Sequence, residues 1–179
     1  SLNGQSPYSA SKISADQLAY SFYCSFGLPV KIIRPFNTYG PRQSLRAIIP
    51  TIITQILNSE KKNVSIKLGS LHPRRDLTYV IDTVRAFELM LRSEKINGEV
   101  LNIGSGFEIN MRELSILIAD ICEKKVNFIK DKKRVRPNFS EVNRLLCDNR
   151  KAKRLINWEP QYKKLSGLKT GLIKTVDWI

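Results

Sequence analysis

The chain has 179 residues, 42% of them hydrophobic and 26% charged, the make-up of a globular domain with a real core and not of a disordered chain. No apolar run approaches the roughly 20 residues that span a bilayer, and the polar opening Ser1–Pro7 carries no secretory pattern. A net charge of +14 raises nucleic acid as a partner, but the basic runs (Lys124-Lys125, Lys132-Lys133-Arg134, Arg150-Lys151) are not interleaved with aromatics, so they read as solvated surface plus a pocket for an anionic small molecule.

Ser6-Pro7 reads as a helix cap with proline at the first helical position, and Gly27 as the stop. Ala15, Ala19, Phe22 and Phe26 recur at helical spacing, which predicts that they form the buried stripe of this helix. Val30–Ile33 is β-branched and short, a buried strand ended by Arg34-Pro35. Residues 37–44 read as loop, and 47–58 as a helix with Pro50 in its first turn. Val64–Leu68 alternates as a strand, Gly69–Arg75 reads as loop, Leu77–Val80 as strand and Thr83–Ser93 as an amphipathic helix. Asn97-Gly98 is a turn before the strand Glu99–Ile103. Asn110 with Glu113 resembles a capping box opening a helix to Glu123, with Leu114, Leu117, Ile118 and Ile121 on one face. Val126–Ile129 is a further strand, 130–147 reads as irregular, Asp148 as the cap of a short helix, and 165–179 as the last helix. Strands and helices alternate, which predicts an α/β chain.

The three cysteines, Cys24, Cys122 and Cys147, are far apart with no CxxC pair, so neither a zinc site nor any other metal site is expected, and reduced thiols in the cytoplasm are the simplest reading. Gly104-Ser105-Gly106 is the nearest thing to a dinucleotide turn, but it lacks the third glycine and the acid downstream, so it reads as a loop.

Tyr8 and Lys12 stand four apart at the start of the first helix, on one face. A free phenol ionises near pH ~10, too high for a base at neutral pH. An ammonium beside it favours the phenolate. Such a tyrosine can take a proton from a hydroxyl while hydride leaves the same carbon. Alone this pair is weak; its context is specific. The helix and strand are followed by RPFNTYGPR from Arg34 to Arg42, then by RAIIP from Arg46 to Pro50 and by Gly69 with RDLTYVID from Arg75 to Asp82. Next come NIGS from Asn102, Arg136-Pro137 with Glu141, Asp148 and Lys151, and Trp158-Glu159-Pro160.

In that order these segments resemble the extended short-chain dehydrogenase/reductases that modify nucleotide sugars, closest to their UDP-N-acetylglucosamine 4,6-dehydratase-like branch. The resemblance implies part of a Rossmann-type, doubly wound parallel sheet (residues 1–45, with the catalytic helix) and a C-terminal α/β substrate-binding subdomain (46–179) interleaved with the last Rossmann elements. It implies Tyr8 as the base on the sugar 4-hydroxyl and Lys12 as its tuner and a ligand of the nicotinamide ribose. Pro35 and Phe36 would pass the nicotinamide of NAD or NADP. Asn37 and Arg75 would hold the diphosphate, Glu141 the nucleotide ribose, with Arg42 and Arg136 as further substrate contacts. Asp82 reads as a helix cap, and His72, the one histidine, as a bystander. The substrate implied is UDP-N-acetylglucosamine, and the assembly a homodimer through the first helix. The family's N-terminal half, with its glycine-rich turn, has no counterpart in these residues, so this chain alone is expected to bind NAD poorly and not to turn over. Three other readings stand beside this one: a non-catalytic nucleotide-sugar-binding module, a UDP-sugar decarboxylase, and a basic nucleic-acid-binding protein.

Overall fold

The computed structural model describes residues 4–135, 137 and 141–179, which form six α-helices and eight strands. The first helix, α1 (Pro7–Phe26), starts from a reciprocal cap: Ser9 N–H donates to Ser6 Oγ at 3.1 Å and Ser6 N–H to Ser9 Oγ at 2.9 Å. It ends on Gly27, whose φ of 66° lets its N–H turn back to the Tyr23 carbonyl. No residue of α1 is buried, and the expected stripe is wrong: Ala15, Phe22 and Phe26 are exposed. The face turned inward carries Ile13, Asp16, Ala19 and Tyr23. Apolarity did not choose it. Asp16 accepts a 2.6 Å bond from Arg34 Nε, and the Tyr23 ring lies against Gly98, where a Cβ would collide with it.

After α1 the chain enters β1 (Ile32–Pro35), which pairs in parallel with β5 (Val100–Ile103). β2 (Asn37–Tyr39) runs parallel to β4 (Arg74–Tyr79), and β4 also takes β6 (Glu108–Asn110) antiparallel and β8 (Arg144–Leu145) parallel. β3 (Asn63–Leu68) and β7 (Lys125–Lys130) form a separate parallel pair. The helices between them are α2 (Ile48–Leu57), α3 (Val80–Arg92), α4 (Met111–Ile121), α5 (Arg150–Ile156) and α6 (Lys164–Trp178). The mixed α/β expectation holds, with the dominant pairings parallel.

Several boundaries differ from the sequence reading. Residues 37–39 and 74–75 are strand where loop was expected, because 37–39 finds its ladder in 77–79 of β4, and 74–75 in β6 and β8, not in local periodicity. Among its described residues the 130–147 stretch contains β8 and a 3₁₀ turn at Lys132–Arg134. α3 begins at Val80, three residues before the expected start. Asp148 is not a helix cap; its carboxylate takes the Arg150 N–H at 3.1 Å and the Arg150 guanidinium, while Asn149 stands at the N-cap.

Two cores result. Val64, Ile66 and Leu68 alternate inward from β3 and meet the isoleucines of α2 with Leu114 and Ile118 of α4. The second core packs Ala86 and Met90 of α3 against Leu101, Ile103, Ile156 and the fully buried Trp158. Asp82, expected to cap its own helix, instead joins α3 to the turn after Trp158. Its buried carboxylate accepts Gln161 N–H at 2.8 Å, Tyr162 N–H at 2.9 Å and Arg85 Nη1 at 2.9 Å, and its main-chain carbonyl accepts Trp158 Nε1 at 3.0 Å.

Asp82→Ala leaves two main-chain donors and a partly covered guanidinium without their buried acceptor, so it should cost about 2–3 kcal/mol of stability. A denaturant titration reads this as a lower midpoint at unchanged slope; a loss under about 1 kcal/mol would mean that another contact holds the turn. The cysteines give a second check. Cys24 is exposed, whereas Cys147 is buried, and burial together with Asp76 and Asp148 pushes its thiol up to about 12. A thiol reagent at neutral pH should modify Cys24 on the native chain and reach Cys147 only after denaturant is added, read by peptide mass.

Candidate active site

Tyr8 and Lys12 occupy the first turns of α1, with Lys12 Nζ 5.5 Å from the Tyr8 ring centroid. Tyr8 is 72% exposed, and among the described residues no carboxylate pairs with Lys12. β1 then delivers Pro35 at its C-terminal end, and Phe36 N–H bonds the Ile103 carbonyl at 2.8 Å, tying the β1–β2 corner to the end of β5.

Beyond that corner the chain opens a cleft of about 540 Å³. Asn37 of β2, Arg75 of β4 and Glu141 line it together, which assembles three of the expected substrate residues from distant parts of the chain. Arg75 and Glu141 touch: Nη2 donates to Glu141 Oε1 at 2.9 Å. Nη1 is held by the carbonyls of Val142 at 2.6 Å and Arg74 at 2.9 Å, so the guanidinium is fixed in place with its plane set by three acceptors. Glu141 is largely covered, at 19% side-chain exposure, and not a free surface group.

Arg46 and Arg134 also reach the cleft, so cations outnumber its one carboxylate. The start of α2 borders it too: Ala47, the N-cap, makes no side-chain cap, so the N–H groups of Ile48 and Ile49 have no side-chain acceptor, while Pro50 has no N–H to offer. Sequence reasoning had singled out the segment from Arg46 to Pro50 without naming Arg46 as a contact. Arg134 had been seen only as part of a basic run, and Gln43, also in the wall, carried no signal of its own.

The remaining expected residues lie elsewhere. Arg42 is exposed and outside the cleft; its φ of 66° turns the chain so that the next residue, Gln43, enters the wall instead. Tyr8, Lys12, Pro35 and Phe36 do not line the cleft either. Arg136 falls outside the described residues. His72 is exposed. Among the described residues no cluster of three or more His, Cys, Asp or Glu could hold a metal, and no helix is long and apolar enough to cross a membrane.

The Gly104–Gly106 loop is closed to phosphate by its own fold. The buried Asp76 carboxylate accepts Ser105 N–H at 2.8 Å, Ser105 Oγ–H at 2.6 Å and Gly106 N–H at 2.9 Å, with Cys147 N–H at 3.2 Å. An anion already sits where a phosphate would need those donors, and Gly104 packs so tightly on Cys147 that no Cβ fits.

Residues 1–170 match the family model for GDP-mannose 4,6 dehydratase. A dTDP-D-glucose 4,6-dehydratase of Dictyostelium discoideum is 42% identical over 120 residues, covering 67% of this chain and 27% of that protein. The structure of Pal from Bacillus thuringiensis superposes with a TM-score of 0.82 at 34% identity, over 98% of this chain and 53% of that one. A UDP-glucuronic acid 4-epimerase variant from Bacillus cereus, solved with NAD and a fluorinated UDP-sugar, superposes with a TM-score of 0.82 at 30% identity, over 97% of this chain and 52% of that one. The chain thus spans about half the length, or less, of the proteins it matches. It belongs to the GDP-mannose 4,6-dehydratase family, within the NAD-dependent nucleotide-sugar dehydratases and epimerases of the short-chain dehydrogenase/reductase type.

Proposed function

We propose that this chain carries the substrate cleft and the tyrosine–lysine pair of an NAD-dependent nucleotide-sugar 4,6-dehydratase or epimerase, acting on UDP-N-acetylglucosamine by transient oxidation at sugar C4. The observation that carries this reading is the convergence of Asn37, Arg75 and Glu141 with an uncapped helix start in one cationic cleft. A diphosphate offers two negative groups with acceptor oxygens. The fixed Arg75 fork, the Asn37 amide and the α2 N–H groups are complementary to them. Glu141 keeps one oxygen on Arg75 and has the other for a ribose hydroxyl of the nucleotide.

The residues present fit one end of NAD. Lys12, without a carboxylate partner, and the Tyr8 hydroxyl offer donors for the nicotinamide ribose, and Pro35 with Phe36 stands at the carboxyl end of a parallel strand, where such folds bind dinucleotides. The pyrophosphate has no cradle among the described residues, because the Gly104–Gly106 donors are taken by Asp76. When bound, NAD supplies the hydride acceptor at C4. Tyr8 Oη takes the proton of the 4-hydroxyl, and Lys12 provides the positive charge beside the developing phenolate. Residues 1–45 then belong to a Rossmann-type unit and 46–179 to a substrate subdomain interleaved with it. The exposed Leu18, Phe22 and Phe26 of α1 suit a homodimer through that helix. Three cysteines without a disulfide fit the cytoplasm.

A second reading, a nucleotide-sugar-binding module without turnover, is favoured by the placement of Tyr8 outside the cleft. Calorimetric titration separates what each requires. The chain should bind UDP-N-acetylglucosamine and show no measurable NAD affinity by itself; NAD binding would refute the argument from the missing cradle. Arg75→Ala should weaken sugar-nucleotide binding roughly 10- to 100-fold. Tyr8→Phe should leave that affinity unchanged and lower turnover of the whole protein by about 10²–10⁴. Equal turnover in Tyr8→Phe would refute Tyr8 as the base, and a whole protein without turnover would leave only the binding module standing.

A further inference from the structure

The turn after β2 fixes a hydrogen-bond acceptor that the fold itself does not use. Gln43 follows Arg42 in this turn; its N–H bonds the Gly40 carbonyl at 3.3 Å, and its Nε2 donates to the Thr38 carbonyl at 2.8 Å. A carbonyl can only accept, so the amide nitrogen must face Thr38, and the two ends of the amide cannot be exchanged. This settles where Oε1 lies. It is shielded from solvent, and no donor among the described residues reaches it. Stapling the turn needs only the nitrogen, so the orphan oxygen is unexplained by the fold and unfavourable in it.

Thr54, Thr78 and Asn97 also carry a buried oxygen without a partner among the described residues, but none of them lines the cleft. Gln43 does, on the same wall as Asn37. A diphosphate is acceptor-only at neutral pH, so a donor for Oε1 must come from the glycosyl group, the nucleotide ribose or the base. Gln43 is anchored to Thr38, next to Asn37 and two residues from Phe36, which places it toward the sugar.

We propose that Gln43 is a specificity-determining residue: its Oε1 accepts a hydrogen bond from an O–H or N–H of the glycosyl group, so the cleft selects sugars that carry a donor at that point. This rests on reading the cleft as a nucleotide-sugar site. The test compares UDP with UDP-N-acetylglucosamine by calorimetry on the wild-type chain, Gln43→Met and Gln43→Glu. Gln43→Met should lower affinity for the sugar nucleotide about tenfold and leave UDP affinity unchanged. Gln43→Glu keeps acceptor oxygens while losing the donor to the Thr38 carbonyl, and its charge repels UDP, the more highly charged ligand, more than the sugar nucleotide, so the sugar nucleotide should keep at least its wild-type advantage over UDP. If Gln43→Met loses its thermal transition, Gln43→Lys, which keeps a donor for the Thr38 carbonyl and removes the acceptor, should show the same changed ratio. A fall shared equally by UDP and the sugar nucleotide, or an unchanged ratio in Gln43→Met, overturns the proposal while the cleft stands. A wild-type chain that binds neither ligand overturns the cleft reading, and this inference with it.

Discussion

One pass of chain, from Arg74 on β4 to Arg85 on α3, carries two buried carboxylates from which the surroundings of the cleft are hung. Asp76 gathers the N–H groups of Ser105, Gly106 and Cys147; Asp82 gathers those of Gln161 and Tyr162. A carboxylate suits this task because it only accepts and has about four lone-pair sites, so it can satisfy several loop donors that have no ladder to join. Asp82 gains further from its place in the first turn of α3, at the positive end of the helix. The loops after β5 and after Trp158 are thereby fixed to a single rigid strand–helix unit.

The pleat of β4 explains how that unit also builds the site. Neighbouring residues on a strand point to opposite faces. Asp76 therefore turns to the Ser105 loop while Arg75 turns to the cleft, where Glu141 and two carbonyls fix its guanidinium. Arg74 meets Glu108 of β6 at 3.0 Å, and the same carboxylate takes Arg144 of β8 at 2.8 Å. The bonds from Arg144 and then Arg74 hold the Glu108 carboxyl below the usual range. These links pin β8 beside β4, and they bring the segment bearing Glu141 up to Arg75.

α1 stands apart from this arrangement. It carries the tyrosine–lysine pair, yet it is attached mainly through the Asp16–Arg34 ion pair and the Tyr23–Gly98 packing, with its most apolar residues facing out. Leu18 is 61% exposed and Phe26 72%. Exposed apolar side chains in such number on one helix mark an interaction surface more often than a free one. Gln43 is the opposite case: a buried polar atom in the cleft wall with no donor among the described residues.

The sequence by itself determined the helices with strong local signals. The Ser6 cap, the Asn110–Glu113 capping box, the Gly27 stop and the alternation of β3 all lie where local chemistry put them. It also determined the family, through ordered motifs, and with it Asn37, Arg75 and Glu141, which do meet in one cleft. Three things were decided only by tertiary structure. The short strands β2, β6 and β8 exist because distant segments supply their ladders, which no local period records. The inward face of α1 was chosen by an aspartate that finds Arg34 and a tyrosine that finds a glycine, not by the phenylalanines that the helical spacing favoured. Arg46 and Arg134 reach the cleft because the fold brings distant segments together, and Gln43 reaches it while Arg42 does not because one left-handed residue redirects the turn, a backbone dihedral that leaves no mark in composition or spacing.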